Sequence, residues 1–215
     1  RRDRLRQPAL AQRGSSTMPS TVELPRVRAA QSSGEEVSQL LLEVGAVIVE
    51  GVSTTEAMEV LGAELDAQGG HFYGASGSFA GAHTRRNAGK PLRAQGAQAL
   101  ATHPVLLDAC RRVLGPWCRR VVLGTCSEIS VEPAAKEDRD APRPVPQALH
   151  RDETMWPAAR WGWLPQASSS EDDGHGEKTT RPEFCVSVMH AVTAFTARNG
   201  ATRVVPYSHR WRRDE

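Results

Sequence analysis

Apolar residues recur at helical spacing three times in the first half of the chain. Val37, Leu40, Leu41 and Val44 follow Ser33-Gly34-Glu35-Glu36, a capping-box pattern in which hydroxyl and carboxylate satisfy the free amides of a helix start. This helix is expected to end near Gly45 and hand over to a short buried strand, Ala46 to Val49. Ser53-Thr54-Thr55-Glu56 is a second capping box, with Met58, Leu61 and Leu65 as the core stripe and Gly69-Gly70 as the stop. Thr102-His103-Pro104 opens a third helix with proline at the permitted first turn, burying Leu106, Ala109, Cys110 and Val113 before Gly115-Pro116. From Val121 the period changes to two. Val121, Leu123, Thr125, Ser127, Ile129 and Val131 share one face and Glu128, Ser130 and Glu132 the other. Pro133 to Pro146 reads as a loop, Gln147 begins the next strand, and the hydrophilic stretch Gln166 to Pro182 is a lid or a surface insertion. Two β-rich runs, Phe184 to Phe195 and Thr196 to Trp211, flank Asn199-Gly200, a strong hairpin signal. Helices come first and strands afterwards, which argues against an alternating βαβ sheet and for a mainly β, α+β chain with N-terminal helices.

Composition narrows the classes. With 39% hydrophobic residues in 215, the chain can bury one core of ordinary domain size. Residues 1–17 hold five Arg and one Asp, and setting them aside turns 27 basic and 25 acidic residues into 22 and 24, a net charge of −2 from Met18 onward. No nucleic-acid footprint survives that subtraction. The leader reads either as upstream sequence that is not native to the protein or as an Arg-rich organelle transit peptide. The domain itself is expected to run from residue 18 to residue 215. No stretch of about 20 apolar residues is present to span a membrane. Cys110, Cys118, Cys126 and Cys185 form no Cys-x-x-Cys pair, which fits a reducing, cytoplasmic setting and no zinc knuckle.

The chemistry concentrates at His150-Arg151-Asp152. On a strand, residues i and i+2 share a face about 6.6 to 6.8 Å apart, so imidazole and carboxylate can converge on one ion. Two His and one carboxylate with open positions opposite make the facial triad of non-haem Fe(II) oxygenases; an isolated His-x-Asp is also an ordinary hydrogen-bonded pair on a charged edge. Thr84-Arg85-Arg86 could grip an anionic substrate or cosubstrate through guanidinium forks, or be a solvated basic turn. Gly69 to Gly77 lacks the Gly-Lys-Ser/Thr ending of a phosphate loop and reads as a flexible turn. His190 shares a face with Val186, Val188 and Val192, where a hydrogen-bonded core histidine is the ordinary outcome. Trp156, Trp161 and Trp163 could wall an apolar substrate or cap the end of a sheet.

The His150-Arg151-Asp152 strand followed by Asn199-Gly200-Ala201-Thr202-Arg203-Val204-Val205-Pro206-Tyr207-Ser208-His209 resembles the phytanoyl-CoA dioxygenase family of Fe(II)- and 2-oxoglutarate-dependent oxygenases. More loosely, the resemblance extends back through Thr84-Arg85-Arg86 and Gly45 to Val49, to about Met18. It implies a cupin-like jelly roll, the double-stranded β-helix, with helices packed on one sheet. It implies Fe(II) at His150 and Asp152, 2-oxoglutarate near Gln147 and His190, O2, and a small organic or lipid-like substrate near Thr84, Arg85 and Trp156. His209 falls in the family's structural Pro-x-Ser-His turn. Tyr207 departs from the usual glycine there. The family's second metal-binding His and its 2-oxoglutarate-pairing Arg lie several tens of residues past that turn, so the chain is expected to be the first part of a jelly roll whose remainder lies beyond Glu215. Without that remainder, the competing class is a non-catalytic jelly-roll module used for binding or scaffolding, and Zn(II) or Mn(II) competes with Fe(II) at such a site.

Overall fold

The computed structural model describes residues 23–69, 71–72, 84–88, 90–131, 147–152, 182–196 and 199–210. Helix α1, Gly34–Val44, starts where Ser33 accepts a hydrogen bond from the Glu36 amide at 3.2 Å and stops at Gly45, whose φ of 88° is the left-handed turn that glycine adopts without steric cost. Strands β1 (Arg26–Arg28) and β2 (Ile48–Glu50) pair in parallel on either side of it, Val27 opposite Val49. Helix α2, Thr55–Gln68, is capped by Thr54, whose hydroxyl accepts from the Ala57 amide at 3.2 Å. The capping residue is therefore the Thr in second place of Ser53-Thr54-Thr55-Glu56, and the expected core positions Leu61 and Leu65 are buried.

Two elements carried no large apolar stripe and were not expected. A 3-10 turn, Lys90–Arg93, leads into helix α3, Gln95–Ala101, whose N-cap Ala94 provides no side-chain bond. α3 exists because Ala97 and Leu100 close a small core with Leu61, Leu65 and Ala94, against which Val52, Met58 and Val192 pack. Tertiary packing there outweighs weak local signals. Helix α4, Pro104–Leu114, has proline in its first turn and buries Leu106, Ala109 and Val113; Cys110 stays half-buried, short of full burial. It lies along α1 so closely that a Cβ at Gly34 would collide with the Asp108 side chain. Arg112 ties the pair, bonding Asp108 at 2.9 Å and reaching Glu35 at 3.5 Å.

Beyond α4 the ladder is shorter than the alternating pattern suggested. Strand β5 covers Ser127–Val131 alone, in a three-stranded antiparallel sheet with β3 (His71–Phe72) and β4 (Thr84–Ala88) in the order β3-β4-β5. Over Ser127–Val131 the alternation holds. Ile129 and Val131 are 53% and 48% exposed, while Glu128 and Ser130 are half-buried, because buried Asn87 donates to Glu128 at 2.7 Å and Ser130 donates to the other carboxylate oxygen at 2.9 Å. A hydrogen-bonded polar cluster takes the inner positions, with the buried Asn87 Oδ1 left without a hydrogen-bond partner. Residues 147–150 and 182–196 carry no ladder pairing, so the strands expected there are not strands of a described sheet. The Asn199-Gly200 turn does form: Asn199 Oδ1 accepts from the Thr196 amide at 2.8 Å, Nδ2 donates to the Ala194 carbonyl at 2.5 Å, and Gly200 sits at φ 80°. The leader, the Pro133 to Pro146 loop and all but the last residue of the Gln166 to Pro182 stretch lie outside the described residues.

Candidate functional site

Although residues 147–152 are unpaired, His150 and Asp152 do converge. His150 Nε2 stands 3.6 Å from Asp152 Oδ1. Nδ1 of the same ring lies 2.8 Å from the Ala148 carbonyl, which can only accept, so Nδ1 carries a proton and Nε2 is the ring nitrogen that faces the carboxylate. Two donors 3.6 Å apart can share one divalent ion, since the usual metal–imidazole and metal–carboxylate distances of about 2.0 to 2.2 Å sum to more than that separation. The donor set, imidazole with carboxylate, suits a first-row divalent metal. Among the described residues no group of three His, Cys, Asp or Glu side chains gathers around one point, so the pair by itself offers two donors.

The surroundings fix the pair. Ser187 donates to Asp152 Oδ2 at 2.9 Å, and Cys185 Sγ lies 3.9 Å from the Ser187 hydroxyl. Arg151, alternating to the other side, bonds the Ser208 carbonyl at 2.5 Å and so anchors the backbone between the two donors. The turn it reaches docks in its own right on the end of α1. Tyr207 N donates to the Val44 carbonyl at 2.6 Å, and the His209 ring and Arg210 reach the Leu42 carbonyl at 2.9 and 3.2 Å. Carbonyls left without partners at a helix end are satisfied this way, and the cationic Arg210 suits the negative end of the helix dipole. His209 is thereby committed to α1, as expected of a structural turn.

The remaining candidates are scattered. Gln147 is exposed. Thr84 is buried on β4, opposite Val131. Of Arg85 the backbone alone is described, paired with Phe72 and Ser130. Trp156, Trp161 and Trp163 lie outside the described residues. His190 is half-buried in the segment whose Val192 packs on the α2–α3 core. Burial, and then the charge of nearby His103, hold its pKa below its ordinary value. Burial likewise raises the Cys110 thiol above its ordinary value, with a smaller push from Cys185. Sequence reasoning missed Ser187. A serine 35 positions from its partner leaves no local pattern, and the single available signal was its place two residues from Cys185 in an apolar run.

The family model described as phytanoyl-CoA dioxygenase matches residues 41–215. The dioxygenase aneA of Aspergillus aculeatus is 26% identical over 206 residues, which cover 91% of this chain and 60% of aneA. The dioxygenase FUM3 of Gibberella moniliformis is 30% identical over 194 residues, covering 82% of this chain and 55% of FUM3. A 65-residue stretch, 30% of this chain, is 42% identical to 17% of the multifunctional dioxygenase ausE of Aspergillus calidoustus. The chain spans little more than half the length of the first two of these relatives.

Proposed function

Because the chain belongs to the phytanoyl-CoA dioxygenase family, we propose that the full-length protein is an Fe(II)- and 2-oxoglutarate-dependent dioxygenase acting on a small organic or lipid-like substrate. The observation that carries this reading is the His150–Asp152 pair, two metal donors 3.6 Å apart with the ring held by Ala148. When bound, iron and 2-oxoglutarate together supply the oxidising chemistry that places one oxygen of O2 in a substrate C–H bond and the other in succinate. The chain's own part is to hold and orient. His150 offers Nε2, Asp152 a charge-neutralising oxygen, and Arg151 pins the backbone between them. A further His ligand and the Arg that pairs with 2-oxoglutarate are assigned outside the described residues. Gln147 and His190 are proposed beside the cosubstrate, and Thr84, Arg85 and Trp156 beside the substrate. In this reading residues 18–215 are the N-terminal and central part of one oxygenase domain, with β3, β4 and β5 in one wall of a double-stranded β-helix and the helices packed outside. Names of relatives from Aspergillus and Gibberella that include the word dioxygenase support it.

The test is anaerobic titration of the full-length protein with Fe(II) and 2-oxoglutarate, following the visible charge-transfer band of the ternary complex. The band should form with the native protein, disappear in Asp152→Ala, and persist in His209→Ala, whose ring serves α1. A native protein without any band would return the reading to a non-catalytic module, and a band lost equally in both variants would make His209 a ligand.

A further inference from the structure

Asp152 has two carboxylate oxygens with different partners. Oδ1 faces His150 Nε2 at 3.6 Å, whereas Oδ2 accepts the Ser187 hydroxyl proton at 2.9 Å. A carboxylate with both oxygens free can rotate and can chelate one ion with both. Here the second oxygen is already engaged, and the engagement fixes the plane of the group. We infer that Ser187 is a positioning residue that holds Asp152 so that Oδ1 alone faces the metal position; the inference rests on the His150–Asp152 reading above. The hydroxyl is itself held. Its proton goes to the carboxylate, so Cys185, 3.9 Å away, acts as donor to the serine oxygen, and a relay runs from Cys185 through Ser187 to Asp152. Both relay residues are solvent-exposed, so neither is there to fill a core, and removing the hydroxyl takes away orientation with little loss of packing. Groups that orient a metal ligand in this way typically contribute 10- to 100-fold in affinity.

The experiment measures Co(II) affinity of the full-length protein from the cobalt visible spectrum, without cosubstrate or turnover, for the native protein, Ser187→Thr, Ser187→Val and Asp152→Ala. Threonine and valine have nearly the same shape and differ in the hydroxyl, so the pair isolates the hydrogen bond from any effect on folding. Expected is near-native affinity for Ser187→Thr, a loss of about 10- to 100-fold for Ser187→Val, and a changed band shape in Ser187→Val as the carboxylate geometry relaxes. Equal affinity and equal spectra for the threonine and valine variants would overturn the role of Ser187. If Asp152→Ala also abolishes binding in that case, the metal site stands and Ser187 alone is misassigned. If Asp152→Ala binds cobalt like the native protein, the His150–Asp152 reading falls and takes this inference with it.

Discussion

Tyr207 holds its backbone at φ 64°, among the described residues the single non-glycine in the left-handed region. That conformation costs an L-residue about 1 to 2 kcal/mol, and it explains why glycine is usual at this place in the Pro-x-Ser-His turn. The turn keeps its path because the Tyr207 amide bonds Val44. Tyr207→Gly should therefore raise stability, by no more than about 1 kcal/mol once the greater freedom of unfolded glycine is set against the relief; thermal melts of the two proteins check it. His190 gives a pH dependence of defined sign. Its folded pKa lies below the ordinary histidine value, so between the two values the unfolded chain binds more protons than the folded one. The stabilisation is fully present above about pH 6.5 and is lost as pH falls through the folded value. A plot of melting temperature against pH should fall on the acid side in the native protein and fall less steeply in His190→Gln. Among single residues, His150 and Asp152 were legible because two positions of spacing confine both side chains to one neighbourhood. Ser187, Arg151 and His209 have partners 35, 57 and 167 residues away, and only the folded chain reveals those.

Among elements, those with a chemical start signal were readable and those held by context were not. Ser33 and Thr54 announce α1 and α2 with hydroxyls that do cap, whereas α3 begins at an alanine and depends on Leu61 and Leu65 to exist. The alternating run from Val121 was readable in part. Alternation tells which residues share a face, but the choice of inner face was decided by Asn87, across the ladder from Glu128. Close approach of helices was equally invisible. Gly34→Ala would press a methyl group into Asp108 and the α4 backbone, so α1 and α4 should be forced apart at a cost of about 1 to 3 kcal/mol. Ser33→Ala, which removes a cap one residue away without adding bulk, should cost about 1 kcal/mol. Denaturant titration of the two variants would separate these effects, and a neutral Gly34→Ala would show that the helices already have room.

For the molecule as a whole, the described residues leave many large apolar side chains open: Val122, Leu123, Ile129, Val131, Val188, Met189 and Phe195 are all exposed. Polypeptides of this length seldom expose so much apolar surface without covering it. The 215-residue chain should enhance the fluorescence of a hydrophobic dye and self-associate in size-exclusion chromatography; a dark, monomeric sample would mean that these side chains are covered. No helix among the described residues is long and apolar enough to cross a membrane. The docking of residues 207–210 onto α1 has a further consequence, in time. Leu42 waits for a partner 167 residues downstream, and closing a loop of that length costs roughly 4 to 5 kcal/mol from its length dependence alone. At the usual pace of synthesis, roughly 5 to 20 residues per second, α1 leaves the ribosome on the order of ten seconds before the turn that finishes its end. Through that interval α1 is held at its start by Ser33, while the Leu42 and Val44 carbonyls at its other end are open to whatever else in the cell offers a hydrogen-bond donor.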